Sequence, residues 1–275
     1  MKTLYISDLD GTLLDSNAEI SDFTAEKLNL LIEKGLNFSV ATARTNATVV
    51  KMLKNININI PVVLMNGVAI YDLKKNSYVS VKSVSEKGKD VLFDVIKNHI
   101  GSGFFYTIDN DELNAYYENT DSPNAVAFIE ERQKKYNKKF IKVNSFEQCR
   151  DKNIVYYSID DKKEVLENAY NILKQCEDLS IAFYRDIYNT DHWYLEASSS
   201  EASKKNAVIT LKKMFNFEKV ICFGDNLNDL PMFEVSDEAY AVMNAKDEVK
   251  SKAHSIIQSN TDNGVVKFIE KQFNI

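Results

Sequence analysis

The sequence predicts an α/β protein whose parallel sheet belongs to a core in two parts, with an α+β domain inserted between them. The first observation is that short apolar segments alternate with amphipathic helical segments over residues 1–82. The second is that residues 83–190 instead mix helices with short aromatic-rich strands. The third is that the alternation resumes over residues 191–275. Strand–helix–strand repetition implies right-handed crossovers and therefore a parallel sheet.

The elements of the first core part follow one another at short intervals. The apolar run from Thr3 to Ile6 predicts a buried strand. A helix is predicted from Ser21 to Glu33, because Ser21 is a favoured N-cap and Gly35 suits the left-handed position after a helix. The further predicted elements are a strand at 38–41, a helix at 46–54, a strand at 62–65 and β segments at 68–71 and 78–81.

The insertion and the second core part are predicted in the same way. One helix of the insertion is indicated by apolar residues at helical spacing, which are Val165, Ala169, Ile172, Leu173 and Cys176. Strands of the insertion are predicted at 104–107, 155–159 and 181–184. The second core part is predicted as a strand from Trp193, a helix at 204–215, a strand at 220–223, a helix at 227–235, a strand at 239–242, a helix at 247–253, a strand at 255–257 and a last helix ending at 273.

Composition limits the partners and the compartment. The net charge is −6, so no broad basic surface for nucleic-acid phosphates is expected. The three cysteines, Cys149, Cys176 and Cys222, are far apart and lack the spacing of metal ligands, as is typical of a reducing cytosol. The N-terminus lacks signal-peptide anatomy, and no apolar run approaches the ~20 residues of a membrane span. We therefore expect a cytoplasmic protein with neither nucleic acid nor membrane as partner. A monomer is also expected, although no feature of the sequence determines the oligomeric state.

Two carboxylates stand where the first strand ends. Asp8 and Asp10 follow the apolar run with one residue between them, and Gly11 comes next. Alternate residues of a strand share a face, and open α/β sheets keep their ligand sites at the C-terminal edge of the strands. Two like charges at such close range need a counter-charge, usually a cation. The pattern indicates a metal and an acid/base pair, the alternative being a solvated strand-to-turn segment.

Three further features lie where a predicted strand ends or a predicted helix begins. Thr42 closes the second strand in Ala41-Thr42-Ala43-Arg44, and Lys204 opens a helix in Ser203-Lys204-Lys205-Asn206-Ala207. The run Gly224-Asp225-Asn226-Leu227-Asn228-Asp229 follows a short apolar strand. A parallel sheet would bring these edges together with Asp8 and Asp10.

This ordered set, beginning with Asp8-Leu9-Asp10-Gly11-Thr12, resembles the motifs of the haloacid dehalogenase superfamily. The insertion between Thr42 and Lys204 makes the chain similar, over nearly its whole length, to the Cof-type phosphatases with a C2-type cap domain. The resemblance implies a Rossmann-like core and a Mg²⁺-dependent phosphatase of small phosphorylated metabolites, with sugar phosphates as the expected class. It also implies an aspartyl-phosphate intermediate.

The resemblance assigns the catalytic and metal-binding roles residue by residue. Asp8 would be the nucleophile, and Asp10 would be the general acid and base. Mg²⁺ would be held by Asp8, the backbone carbonyl of Asp10 and Asp225, with Asp229 supporting it through water or hydrogen bonds. Thr42 would donate its hydroxyl to the phosphate, and Lys204 would neutralise phosphate charge and keep Asp8 ionised. Further substrate contacts are assigned to Gly11, Arg44, Asn66 and Asn228.

Each assignment has a structural alternative. Thr42 would alternatively cap the following helix, and Lys204 would be an ordinary surface lysine with Lys205 as the phosphate ligand. Relatives often have glycine at the position of Lys205 and before Arg44, where this chain has Ala43.

Loop roles are the alternatives for the remaining positions. Asp225 and Asp229 would alternatively belong to a turn and a first helical turn, and Asn66 to a simple turn. Arg44 either contacts the substrate or braces its loop.

Two other functions fit the same sequence. A phosphomutase would return the phosphoryl group to another hydroxyl, and a metabolite-binding regulator would keep the fold without catalysis. Intact acidic motifs argue against the regulator, because binding alone requires neither a nucleophile nor a separate acid/base. Fold does not fix the substrate, and residues 184–192 are predicted to contribute to specificity.

Overall fold

The computed structural model describes residues 1–119, 123–186 and 191–273. Within it the chain divides into two compact units. The core unit comprises Met1–Ser80 and Ser203–Ile275, and the inserted unit comprises Val81–Ala202.

The elements have the following bounds. The strands are β1 Thr3–Ser7, β2 Asn37–Val40, β3 Val62–Leu64, β4 Ala69–Asp72, β5 Ser77–Val81, β6 Phe104–Asp109, β7 Glu112–Tyr117, β8 Lys139–Lys142, β9 Ile154–Lys162, β10 Leu179–Arg185, β11 His192–Ser199, β12 Lys219–Gly224, β13 Glu238–Val242 and β14 Ser255–Ile257. The α-helices are α1 Asp22–Glu33, α2 Asn46–Met52, α3 Glu86–Val95, α4 Pro123–Tyr136, α5 Lys163–Leu173, α6 Lys204–Met214, α7 Leu230–Phe233, α8 Asp247–Lys250 and α9 Gly264–Gln272.

The core unit is built on a five-stranded sheet in the order β14-β13-β12-β1-β2. Each neighbouring pair in it is parallel, which confirms the predicted α/β class with a parallel sheet. β1 lies between β12 and β2, with Ser7 opposite Phe223 of β12 and Val40 of β2. The strands β1 and β12 therefore end side by side at one edge of the sheet.

Buried apolar side chains hold β1 and α1 in place. Leu4 and Ile6 of β1 are fully buried, as are Leu28 and Leu31 of α1. Each such burial contributes about 1.5–3 kcal/mol. The helix begins at the predicted N-cap, because the Ser21 side chain accepts a hydrogen bond from the Thr24 N–H. The loop that follows β1 thus starts from a rigid position.

The inserted unit contains a six-stranded sheet in the order β10-β11-β9-β6-β7-β8. Strand alternation gives the sheet two faces. One face carries Phe105, Tyr157 and Leu195, which pack in a buried apolar cluster with residues of α3 and α5. The other, which we call the second face, carries Tyr106, Tyr156, Tyr184 and Glu196, at alternate positions.

One boundary predicted for the insertion was wrong. The strand expected at Trp193 in the core is β11, which pairs with β9 and β10, so residues 191–202 belong to the inserted unit. The helix predicted in the insertion is confirmed as α5. Its buried residues are Leu166, Ala169 and Leu173, whereas Val165 and Ile172 are 43% and 37% exposed.

Two further points concern the predicted specificity segment and the membrane. Of residues 184–192, positions 187–190 lie outside the described residues. Among the helices that the structure describes, none is both long and apolar enough to cross a membrane.

Candidate active site

The loop after β1 places the first two acidic residues. The N–H of Asp8 donates to the Phe223 carbonyl at 3.0 Å, which ties the end of β1 to β12. The chain then makes a wide turn that closes with the N–H of Leu14 on the Leu9 carbonyl at 2.9 Å. Gly11 in this turn has φ +79°, and a Cβ there would lie 2.5 Å from Asp225 Oδ2. Glycine is therefore required both by the backbone and by the approach of Asp225.

Three carboxylates meet where β1 and β12 end. Asp8, Asp225 and Asp229 each offer an oxygen within 4.8 Å of the others, and in the described part of the chain they form the acidic group suited to hold a metal. Asp8 and Asp229 are buried and Asp225 is half-buried. Oxygen donors of this kind are the ligands that Mg²⁺ prefers, so the donor set fits this ion.

Lys204 links two of these carboxylates. Its ammonium Nζ donates to Asp8 Oδ1 and to Asp229 Oδ1, each at 2.6 Å, and its side chain is only 1% exposed. The neighbouring Lys205 is 42% exposed and pairs with Glu234 at 2.9 Å on the surface. Of the two lysines, Lys204 is thus the one in contact with the acidic cluster, as the first residue of α6.

Asp229 also shapes the loop that carries Asp225. Its Oδ2 accepts the N–H groups of Asp225 at 2.9 Å and Asn226 at 3.0 Å. Both of its carboxylate oxygens therefore already accept hydrogen bonds from the protein. Asp229 therefore has both roles: it stabilises the loop, which was the structural alternative left open by the sequence, and it binds Lys204.

The charges in this cluster are unbalanced. Burial raises the pKa of Asp8 to about 8, against the opposing Lys204 ammonium and with a further rise from Asp229. Burial, followed by the charge of Asp229, raises the pKa of Asp225 to about 6. Burial alone would lower the pKa of Lys204, but Asp8 and Asp229 raise it. One ammonium faces three carboxylates, so a divalent cation would complete the balance.

Arg44 forms a bidentate ion pair with the side chain of Asp10. Its Nε donates to Oδ2 at 2.8 Å and its Nη2 to Oδ1 at 2.6 Å. The planar guanidinium fork matches a carboxylate, so this contact fixes the orientation of Asp10. Of the two roles predicted for Arg44, the bracing of the loop is present in this structure.

Thr42 lies buried at the end of β2. Its Oγ1 accepts the N–H of Arg44 at 3.1 Å, which leaves the hydroxyl hydrogen for another acceptor. The helix α2 instead begins after Thr45, so Thr42 does not cap it.

Asn66 and Asn228, which were both predicted to contact the substrate, hydrogen-bond to each other. Asn228 Nδ2 donates to Asn66 Oδ1 at 3.2 Å.

Comparison with known proteins identifies the family. A family model described as haloacid dehalogenase-like hydrolase matches residues 5–269. The chain belongs to the haloacid dehalogenase-like hydrolases.

Curated relatives and a solved structure agree with this membership. The phosphatase YwpJ of Bacillus subtilis strain 168 is 27% identical over 98% of this chain and 99% of its own. From the same strain, 5-amino-6-(5-phospho-D-ribitylamino)uracil phosphatase YwtE is 25% identical over 98% of each chain. A haloacid dehalogenase-like hydrolase from Bacteroides thetaiotaomicron has the same fold, with a TM-score of 0.80 at 21% identity over 99% of this chain and 100% of that one. The family and these relatives make the chain a phosphoric monoester hydrolase.

Two residues of this hydrolase support the site without having been assigned a role from sequence. The Thr12 hydroxyl donates to Asp225 Oδ1 at 2.9 Å. Asn244 Nδ2 donates to the Gly11 carbonyl at 2.7 Å, and Asn244 Oδ1 accepts the N–H of Asn260 at 3.0 Å. Thr12 stood inside the first motif, whereas Asn244 follows a strand in a position typical of turns, so nothing in the sequence singled it out.

Proposed function

We propose that this hydrolase is a Mg²⁺-dependent phosphatase of small phosphorylated metabolites, sugar phosphates above all, which acts through an aspartyl-phosphate on Asp8. The observation that carries the proposal is the buried Lys204 ammonium bridging Asp8 and Asp229 beside Asp225. The name of the relative YwtE gives it a phosphorylated ribityl compound as substrate, which supports a small phosphorylated metabolite as the substrate here.

The first chemical step uses Asp8 as nucleophile. One carboxylate oxygen of Asp8 attacks phosphorus while the bond from phosphorus to the ester oxygen breaks. Lys204 favours the ionised form of Asp8 and holds one of its oxygens at 2.6 Å, which leaves the other for attack. Asp10 gives its proton to the leaving alkoxide.

The second step releases phosphate. Asp10, now ionised, takes a proton from a water molecule, and the resulting nucleophile attacks the phosphorus of the aspartyl-phosphate. The bond to the Asp8 oxygen breaks, so Asp8 is regenerated and inorganic phosphate leaves. In this structure the ion pair with Arg44 orients the Asp10 carboxylate. This ion pair must break when Asp10 carries a proton.

Mg²⁺ would be held by Asp8, Asp225 and the backbone carbonyl of Asp10. Asp229 would act indirectly, because its oxygens already accept hydrogen bonds from Lys204 and the backbone. When bound, the ion supplies neutralisation of the negative charge on the phosphoryl oxygens and the carboxylates. The phosphate contacts in the proposal come from the Thr42 hydroxyl, Lys204, Gly11, Asn66 and Asn228, with Arg44 as a further donor once it leaves Asp10.

The proposal extends to partners and compartment. Its partner is a small phosphomonoester, and it includes a monomer in the cytoplasm that binds neither nucleic acid nor membrane. The net charge of −6 supports the absence of nucleic acid as a partner, and the three free, buried cysteines support a reducing compartment.

Phosphate release tests the proposal directly. Wild type and Asp8→Asn are assayed on a panel of sugar phosphates and other small phosphomonoesters, with Mg²⁺ or with EDTA. We expect release that requires Mg²⁺ and disappears in Asp8→Asn, with Asp15→Asn as a control that keeps wild-type activity. Activity that survives Asp8→Asn would refute the mechanism, and an isomeric ester instead of phosphate would indicate a phosphomutase.

A further inference from the structure

Two cationic side chains lie together on the second face of the inserted sheet, away from the acidic motifs in sequence. Lys138, just before β8, has its Nζ 4.4 Å from the centre of the Tyr106 ring and 6.0 Å from that of Phe128. Arg132, from the end of α4, has its guanidinium carbon 5.3 Å from the same Phe128 ring. The shared ring places the two cations side by side, held by aromatic contacts.

The two cations lack an anionic partner in the part of the chain that the structure describes. Among the described residues no carboxylate lies within ion-pair distance of Arg132 or Lys138, and the buried Nε of Arg132 has no hydrogen-bond acceptor. Two other cations of the same unit differ: Lys139 pairs with Glu112 at 2.6 Å, and Arg150 pairs with Asp90 at 2.7 Å. Buried hydrogen-bond donors normally have an acceptor. The Nε of Arg132 has none among the described residues, so an anion bound from outside would supply it.

The pKa of Lys138 also indicates that no carboxylate balances its charge among the described residues. Burial and then the charge of Arg132 lower the pKa of Lys138 to about 7. The carboxylates on this face include Glu196 and Asp160, and both have other partners. Glu196 is engaged with the hydroxyls of Tyr156 and Tyr184, and burial raises its pKa. Asp160 lies 3.0 Å from His192 Nδ1. In the part of the chain that the structure describes, neither of these carboxylates forms an ion pair with Arg132 or Lys138.

We propose that Arg132 and Lys138 form a binding site for a small anionic group, a phosphate or a carboxylate. The guanidinium fork would bind two oxygens and the ammonium would add a point charge, a combination well suited to these anions. Binding needs no turnover, so the site stands apart from the proposed phosphatase function.

Calorimetric titration with inorganic phosphate in EDTA tests the site. The proteins are wild type, Lys138→Met, Arg132→Gln and the control Lys139→Met, each checked for folding by thermal unfolding. We expect Lys138→Met and Arg132→Gln each to weaken phosphate binding at least tenfold and Lys139→Met to leave it unchanged. Equal affinity in all four proteins, or no saturable binding by folded wild type, would overturn the proposal. Lys138→Met and Arg132→Gln remove different charges, so if one of them fails to fold, the other still decides the test.

The anion has two possible sources, and kinetics separate them. With Mg²⁺ present, KM and kcat are measured for a hexose monophosphate and the corresponding hexose bisphosphate. A KM that rises tenfold in Lys138→Met for the bisphosphate alone, with kcat unchanged, supports a second anionic group on the substrate. Unchanged KM for both esters, with phosphate binding lost in the titration, supports a separate anionic regulator. If no ester of the whole panel is hydrolysed, the phosphatase proposal fails, while the titration still decides the anion site.

Discussion

At the scale of single residues, the buried ammonium of Lys204 is the group on which the acidic cluster depends. It is in contact with Asp8 and Asp229, whereas the adjacent Lys205 is in contact with Glu234 on the surface. Adjacent residues of a helix point about 100° apart, so two lysines next to each other meet very different surroundings. This pair offers a matched comparison between a buried and an exposed charge.

Replacing Lys204 by methionine leaves Asp8 and Asp229 buried with no cation between them. We expect Lys204→Met to lose activity and, in EDTA, to lower the free energy of unfolding by about 3 kcal/mol, as the loss of one partner of a buried ion pair does. Lys205→Met should change it by less than about 0.5 kcal/mol. Urea denaturation measures both values, and equal effects of the two substitutions would contradict the role given to Lys204.

Gly11 is a second residue with a position-specific requirement. In Gly11→Ala the new Cβ would displace the Asp225 carboxylate, in addition to straining the backbone. Gly35 offers the control, since it has φ +98° but a Cβ added there would meet no heavy atom within 4 Å. We expect Gly11→Ala to lose more than about 90% of its activity and its stabilisation by Mg²⁺. Gly35→Ala should lose only about 1 kcal/mol of stability and keep full activity, and equal activities would count against the close approach.

At the scale of elements, the ends of β1 and β12 bring three carboxylates together. The raised pKa values of Asp8, about 8, and Asp225, about 6, mean that folding favours their protonated forms. Below about pH 4 both carboxyls are protonated in the folded and in the unfolded chain, so their contribution to the stability of the metal-free protein is fully present. As the pH rises toward about 8 the unfolded chain loses these protons first, and this contribution to stability is lost. A bound divalent cation would remove this loss.

We therefore expect Mg²⁺ to raise the thermal unfolding temperature more at about pH 8 than at about pH 5.5. Thermal melts with Mg²⁺ or EDTA at the two pH values measure the difference. Asp8→Asn lacks one of the titrating carboxylates, so its dependence on pH in EDTA should be shallower than that of wild type. The same Mg²⁺ effect at both pH values would contradict the charge imbalance described for the cluster.

Elements also show what local sequence can predict. The start of α1 was predictable, because the N-cap Ser21 acts within one helical turn. The buried face of α5 was not, because Val165 and Ile172 keep helical spacing as well as Leu166 and Leu173 do. Which stripe is buried depends on the sheet against which the helix packs.

At the scale of the whole molecule, pairing between distant segments decides the fold and the site. β1 and β12 are neighbours although Thr3 pairs with Lys219, and the acidic cluster around Asp8 exists only through that pairing. The motifs allowed the parallel core to be predicted, since their order restricts the topology. The sheet that takes β11 was missed, because strand alternation looks the same in either sheet. Asn244 was missed because its contact with Gly11 is also made only by the folded chain.

The central claim is that Asp8 carries the phosphoryl group during hydrolysis. The most direct measurement is acid quenching of Asp10→Asn during reaction with 4-nitrophenyl phosphate, an ester whose leaving group needs no proton, followed by mass spectrometry of the peptide that contains Asp8. The first step then proceeds without the Asp10 proton while the second lacks the carboxylate that activates water, so we predict one phosphoryl group on Asp8 and none in Asp8→Asn. Phosphate release by wild type with no phosphorylated Asp8 in any quenched sample would contradict the account.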